Sequence, residues 1–145
     1  MVNLSINYMA IGVAVLVNFI IGGIWYGPLL GKAWVKEIDP SGRFAPSRKD
    51  MIRGMILMII GSILTAYVLA HTTQIWRPSV WGVGADEAPW VYGLSSAIFT
   101  WLGFYAPVQL NLVGFELRSW KFFMINSGYH IISLISVAMI LSYWK

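Results

Sequence analysis

Apolar residues along this chain gather into four long blocks, and charged residues are confined to the gaps between them. All sixteen charged side chains (10 Lys and Arg, 6 Asp and Glu) lie outside the stretches 4–31, 54–76, 88–115 and 122–144. A helix needs about 20 mainly apolar residues to cross a bilayer. Each block meets that length, which predicts spans at roughly 5–26, 51–71, 90–112 and 121–143. The expected fold class is all-α: a polytopic membrane protein with four transmembrane helices in a bundle, one domain over residues 1–145.

The block ends carry their own signals. Ser47-Arg48-Lys49-Asp50 reads as a capping box before the second span. Pro89, just after Asp86 and Glu87, suits the first turn of the third. Asp39-Pro40-Ser41-Gly42 is a turn. Trp76, Trp81, Trp90, Trp120, Tyr143 and Trp144 stand near span ends, where aromatic rings prefer the headgroup region. After the first span, Leu30, Trp34 and Ile38 share one helical face while Lys32 and Lys36 point elsewhere. That pattern predicts a short amphipathic helix on the membrane surface. Gly23, Gly27 and Gly31 recur every four residues, a spacing that lets another helix approach closely. Pro28 removes a backbone donor and clashes with the carbonyl of Ile24, so the helix is expected to kink or stop there. This corner is either a helix end with an aromatic-basic anchor or the rim of a cytoplasmic-side cavity.

Composition excludes a soluble domain. Hydrophobic residues make up 58% of the chain, charged residues 11%, and the mean hydropathy is +0.69. A soluble globular chain carries about 25% charged residues. The absence of cysteine removes disulfides, thiolate metal sites and cysteine nucleophiles. The net charge of +4 follows topology rather than nucleic acid, because the basic residues sit between apolar spans. Loops one and three, with their edges, hold Lys32, Lys36, Arg43, Arg48, Lys49, Arg53, Arg118 and Lys121; the other side holds Arg77 and Lys145. Eight against two places loops one and three in the cytoplasm and both termini outside, in the plasma membrane. The N-terminus lacks a basic n-region and its apolar run outlasts a signal peptide, so no cleavage is expected. Asn3-Leu4-Ser5 matches a glycosylation sequon by chance.

The spans also carry polar stripes. Ser96, Thr100, Gly103, Pro107, Asn111 and Gly114 fall on one face of the third; Asn126, His130 and Ser133 share one in the fourth. Asn7, Ala14, Asn18, Gly22 and Trp25 align in the first, and Gly54, Met58, Gly61 and Thr65 in the second. Small residues and hydroxyls of this kind serve ordinary helix packing. Asn18, Asn126 and His130 go further, since all lie toward the cytoplasmic half. With Pro107, which should leave the carbonyl of Gly103 unbonded, and Asn111, they form the expected polar cluster. Gln109 lies opposite the stripe. An ionisable residue inside a membrane is a functional hypothesis by default; the alternative for His130 is a neutral, hydrogen-bonded core histidine. Trp25-Tyr26-Gly27-Pro28-Leu29 is also echoed by Phe104-Tyr105-Ala106-Pro107-Val108, which would fit a two-plus-two repeat or chance.

The stretch Trp25-Tyr26-Gly27-Pro28-Leu29-Leu30-Gly31-Lys32-Ala33-Trp34 resembles the signature of the bacterial and archaeal DUF1761 membrane proteins. Asn126-Ser127-Gly128-Tyr129-His130, followed by Ile140-Leu141-Ser142-Tyr143-Trp144, resembles that family's ending. The resemblance spans essentially the whole chain. It implies a fold and a membrane compartment, but no activity, and it supplies no catalytic residues.

Three readings of function remain open. One is an oligomeric, non-enzymatic module that binds or passes a small solute or lipid. Another is a scaffold or assembly subunit. The third is a small lipid-modifying enzyme. Two histidines with no intramembrane carboxylate make a poor metal set, so neither metal nor cofactor is expected. The expected partners are the lipid bilayer and further copies of this chain.

Overall fold

The computed structural model describes residues 4–144, which form helices and turns with no strand among them. Asn3 of the sequon and Lys145 of the charge count lie outside the described residues. The order is α1 (Tyr8–Ile24), a π-turn (Trp25–Leu29), α2 (Gly31–Ile38), α3 (Arg48–Ile75), α4 (Pro78–Trp81), α5 (Pro89–Thr100), a second π-turn (Trp101–Tyr105), α6 (Ala106–Gly114) and α7 (Trp120–Tyr143). Three helical stretches are long and apolar enough to cross a membrane: Tyr8–Leu29, Arg48–Ile75 and Trp120–Tyr143. The helical path from Pro89 through the second π-turn to Gly114 is unbroken.

Local chemistry sets the helix starts. Asn7 accepts the backbone N–H groups of Met9 and Ala10 at the head of α1. Ser47 and Asp50 close a reciprocal capping box before α3. Beyond the helix end of the third block, Glu116 and Arg118 stand 3.8 Å apart. Ser119 caps α7 by accepting the Phe122 N–H at 2.9 Å.

Helix α7 is the hub, packing most extensively on α5 and then on α1 and α3. The seams are lined by small side chains, with Ala10, Ala14, Ala66, Ala97 and Ala138 fully or almost fully buried around Leu69, Leu134 and Val137. Small residues bring backbones close, which is how helices gain contact where burial from water provides no drive. Gly93 is the tightest such point between α5 and α7: a Cβ there would stand 2.8 Å from Ser142 Oγ.

The two π-turns come from the two prolines. A proline has no N–H and obstructs the carbonyl four residues back. At the first corner Leu30 N–H reaches back five residues to Trp25 O at 2.8 Å, and Gly27 leaves helical geometry (φ −99, ψ −108). At the second, Ala106 N–H bonds Trp101 O, also five residues back. The widened turn carries one extra residue, which rotates everything after it by about 100°. The polar stripe of the third block is therefore broken. Ser96 is buried, but Gly103, Pro107, Asn111 and Gly114 are exposed, and Tyr105, Ala106 and Gln109 turn inward instead.

Gly31 is also not the helix-packing contact the four-residue spacing predicts. A Cβ there would fall 2.3 Å from Tyr26 O of its own corner, so Gly31 serves the turn. Gly23 and Gly27 have open space beside them.

Helix α2 does more than lie on a surface. Its Glu37 accepts from Ser119 Oγ and pairs with Lys121 at 3.3 Å, and Trp34 packs edge-on against Tyr26. The Ser119 hydrogen bond, then Lys121, holds the Glu37 carboxyl below its ordinary value. A folded-state value below the unfolded one gives a contribution present at higher pH and lost as pH falls through the folded value. Acid below the ordinary glutamate range is expected to undock α2 from α7. Nitroxide labels at Lys36→Cys and Trp120→Cys should report a widened distance distribution, already wide at neutral pH in Glu37→Gln. A distribution insensitive to both changes would show that Glu37 does not hold the contact.

At the opposite end Arg77 is buried, 2% exposed. Its Nη1 lies 3.4 Å from Asp86, its Nη2 donates to Ser142 O at 2.8 Å, and its guanidinium stacks over the Tyr92 ring. It ties the α3 end to the following loop, α5 and α7.

Candidate functional site

Midway along the helices, α1, α3, α7 and the second π-turn line a half-open chamber of about 220 Å³. Its polar centre is Asn18, 7% exposed. Asn18 Nδ2 donates to Ser62 Oγ at 2.6 Å. Asn18 Oδ1 accepts from Tyr129 OH at 3.3 Å and from Ser133 Oγ. One amide thus joins α1, α3 and α7. Thr65 and Tyr105 hydroxyls meet across the chamber at 3.1 Å.

His130 forms one wall, half-buried between the rings of Tyr105 (4.6 Å between centroids) and Tyr129 (5.2 Å). Its imidazole makes no hydrogen bond among the described residues, so both ring nitrogens are available to a guest. A second cavity of about 220 Å³ shares the same Tyr105–His130 pair and is walled by Phe104, Val108 and Gln109. Gln109 Oε1 is buried there without a partner. The aromatic pair is therefore a partition between two spaces.

Of the residues expected to cluster, Asn18 and His130 line the chamber. Asn126 lies one step outside it, accepting from Tyr26 OH at 2.9 Å; the Tyr26 and Tyr129 rings, 5.1 Å apart, link the two amides. Pro107 and Asn111 are not part of it. Both are exposed and neither lines a cavity wall, because the π-turn rotates their face outward. Ser62, Tyr105 and Gln109 are additions. Ser62 had a legible signal, since Ser62, Ala66, Leu69 and Thr73 form the buried small-residue stripe of α3 at helical spacing. Tyr105 and Gln109 were legible by depth alone, as neighbours of His130, because their inward aim depends on the π-turn.

The corner residues frame the site rather than enter it. Trp25 Nε1 donates to Ile125 O at 3.0 Å, and its ring lies across Gly128, where a Cβ would come within 3.2 Å of it. Trp101 Nε1 is held by Ser127 O and Oγ. Pro28 shapes the turn, while Lys32 is exposed and does not line the chamber. The two sequence motifs are thus one structure: Trp25 and Tyr26 grip α7 at Ile125, Asn126 and Gly128, directly before Tyr129 and His130.

A family described as protein of unknown function, DUF1761, matches residues 9–142. The chain belongs to that family. No curated protein and no solved structure matches the chain. The corner Trp25–Trp34 and the stretch Asn126–His130 fall inside the matched residues, whereas Tyr143 and Trp144 lie just beyond them.

Proposed function

We propose that this DUF1761 protein is a four-span membrane module that binds, and passes laterally, a small polar solute or the polar end of a lipid. The observation that carries it is the chamber: an amide, hydroxyls and an unbonded imidazole around a space of about 220 Å³. That volume is below the roughly 300–1,000 Å³ of drug-sized sites, so the guest is small. The helical run Pro89–Gly114, at ~1.5 Å per residue, is long enough for the fourth crossing of a ~30 Å core. The chamber then lies within the membrane, where polar groups left unpaired are costly and usually functional. The cavity beside it, with Gln109, is the route to the lipid, and the Tyr105–His130 pair is its door.

Loops one and three face the cytoplasm of the plasma membrane in this reading, with both termini outside. A chain without cysteine makes the test direct. Single cysteines at Ser41 and Ser79 should label from opposite faces of sealed cells, Ser79 from outside. Thr65→Cys should react with a small charged methanethiosulfonate, while Leu16→Cys on the exposed face of α1 should not. A Thr65→Cys thiol as inert as Leu16→Cys would mean a dry chamber and no solute site.

The module is also a homo-oligomer in this reading, joined through the open Gly23 and Gly27 face. Gly27→Leu should lower the cross-linked oligomer yield several-fold. An unchanged yield would move the interface elsewhere.

A further inference from the structure

Helix α3 turns one face to the bundle and the opposite face outward. Ser62, Ala66, Leu69 and Thr73 are buried, whereas Ile56, Ile60 and Leu64 are 52%, 49% and 62% exposed. At about 100° per residue, Lys49 and Arg53 fall on that same outward stripe, one turn apart at the head of the helix. Both cations are exposed, and neither side chain makes an ion pair or a hydrogen bond among the described residues. The acids at this end of the fold are already engaged. Glu37 pairs with Lys121 and Glu116 with Arg118, while Asp39 and Asp50 accept hydrogen bonds from Ser41 and Ser47. Two cations above an apolar stripe are thus left without a counter-charge from the protein.

We propose that this end of α3 is a site for an anionic phospholipid: Lys49 and Arg53 hold its phosphodiester while its acyl chains lie along Ile56, Ile60 and Leu64. The proposal rests on the membrane-spanning reading, but neither on the chamber nor on which face is cytoplasmic. Depth places the cations at the right level. The far end of α3 turns polar at His71, Thr72, Thr73 and Gln74. A crossing of ~20 residues counted back from there reaches positions 51–54. Arg53 therefore stands where hydrocarbon meets headgroups, and Lys49 stands ~6 Å further out. From Ile56 to Leu64 the stripe runs ~12 Å, within the depth of one leaflet of a ~30 Å core. Charge complementarity names the occupant. A zwitterionic phosphatidylethanolamine brings an ammonium of its own to its phosphate, whereas phosphatidylglycerol offers an uncompensated negative charge to the two cations.

Native mass spectrometry tests this on full-length protein released from vesicles of equal phosphatidylglycerol and phosphatidylethanolamine. Wild type should retain phosphatidylglycerol in preference. Lys49→Gln and Arg53→Gln should each lower that preference about five-fold, the ratio for one cation at an anionic surface. The double variant should abolish it. Both side chains are exposed, so neither change disturbs packing. Arg48→Gln, at the same depth but on another face of the helix, should leave the preference intact. Excess inorganic phosphate should not displace the lipid, because it cannot cover the apolar stripe. Equal retention of the two lipids by wild type, a preference that survives the double variant, an equal loss in Arg48→Gln, or displacement by phosphate would each overturn the proposal. Labelling of Ser41→Cys and Ser79→Cys from opposite faces is unaffected by any of these results, and so is the reactivity of Thr65→Cys. The membrane-spanning and chamber readings therefore stand or fall separately.

Discussion

Gly93→Leu is expected to be the most disruptive single substitution in the chain. A Cβ at Gly93 would lie 2.8 Å from Ser142 Oγ, 3.0 Å from Met139 Sδ and 3.1 Å from Ala138 O. The sulfur can swing away and the hydroxyl can rotate, but the Ala138 carbonyl is backbone and moves only with α7. This is the most extensive helix pair in the fold. Overpacking by ordinary methylenes costs about 1–3 kcal/mol; a whole leucine between two backbones should reach the top of that range or exceed it. Gly93→Ala against Gly22→Ala is the matched comparison, a single Cβ at each position. At Gly22 the Cβ would meet Met58 Cε at 2.7 Å and Tyr129 OH at 3.3 Å, both at the ends of side chains rather than backbone, so its loss should be the smaller. Unfolding in graded SDS should separate the two variants clearly. Equal midpoints would mean that α5 and α7 do not meet at Gly93.

The second large effect is expected at Asn18→Leu. Three hydroxyls lose their shared partner: Ser62, Tyr129 and Ser133. Summing about 1–3 kcal/mol for each stranded group overstates the loss. Serine can turn back to its own helix, as Ser136 does by donating to Ile132 O at 2.9 Å. Tyrosine cannot. Measured interhelical bonds in membranes average only ~0.6 kcal/mol. A loss of about 2 kcal/mol follows, with Tyr129 left only the neighbouring Ser133 hydroxyl. A double-mutant cycle of Asn18→Leu with Tyr129→Phe should give a larger coupling than one with Ser62→Ala. The reverse order would mean that the amide serves α3 rather than α7.

Much of the fold was legible because charge exclusion from apolar blocks is a strong physical constraint, and the helices occupy those blocks. The Ser47 box and Pro89 mark the starts of α3 and α5. Asn18 and His130 were legible as polar side chains that need company. Pro107 and Asn111 failed for a single reason: a face was extrapolated at 3.6 residues per turn across a proline that the chain accommodates by widening the turn. The same extrapolation placed Gln109 outside when it faces inward. Arg77 read as a topology signal because nothing in its local sequence tells a buried guanidinium from a snorkelling one; Asp86 reaches it from the following loop and the Ser142 carbonyl from α7. Gly31 looked like a helix contact because its spacing matched, while its real constraint is a carbonyl five residues earlier.

Of the three long apolar helices, α3 has the least protein around it, with 17% of its most apolar stretch buried against 50% for α7. Three polar contacts fasten it along its length: Ser62 to Asn18, Thr65 to Tyr105, and Gln74 to the Ser5 carbonyl at 2.6 Å. Bonds of this kind are strong where competing donors are absent and weak where water reaches them. The grip on α3 is thus set by the surrounding solvent as much as by the protein. In thick hydrocarbon the three contacts act as rivets. In a small, wet micelle each must compete with water, and α3 is the helix that will loosen first.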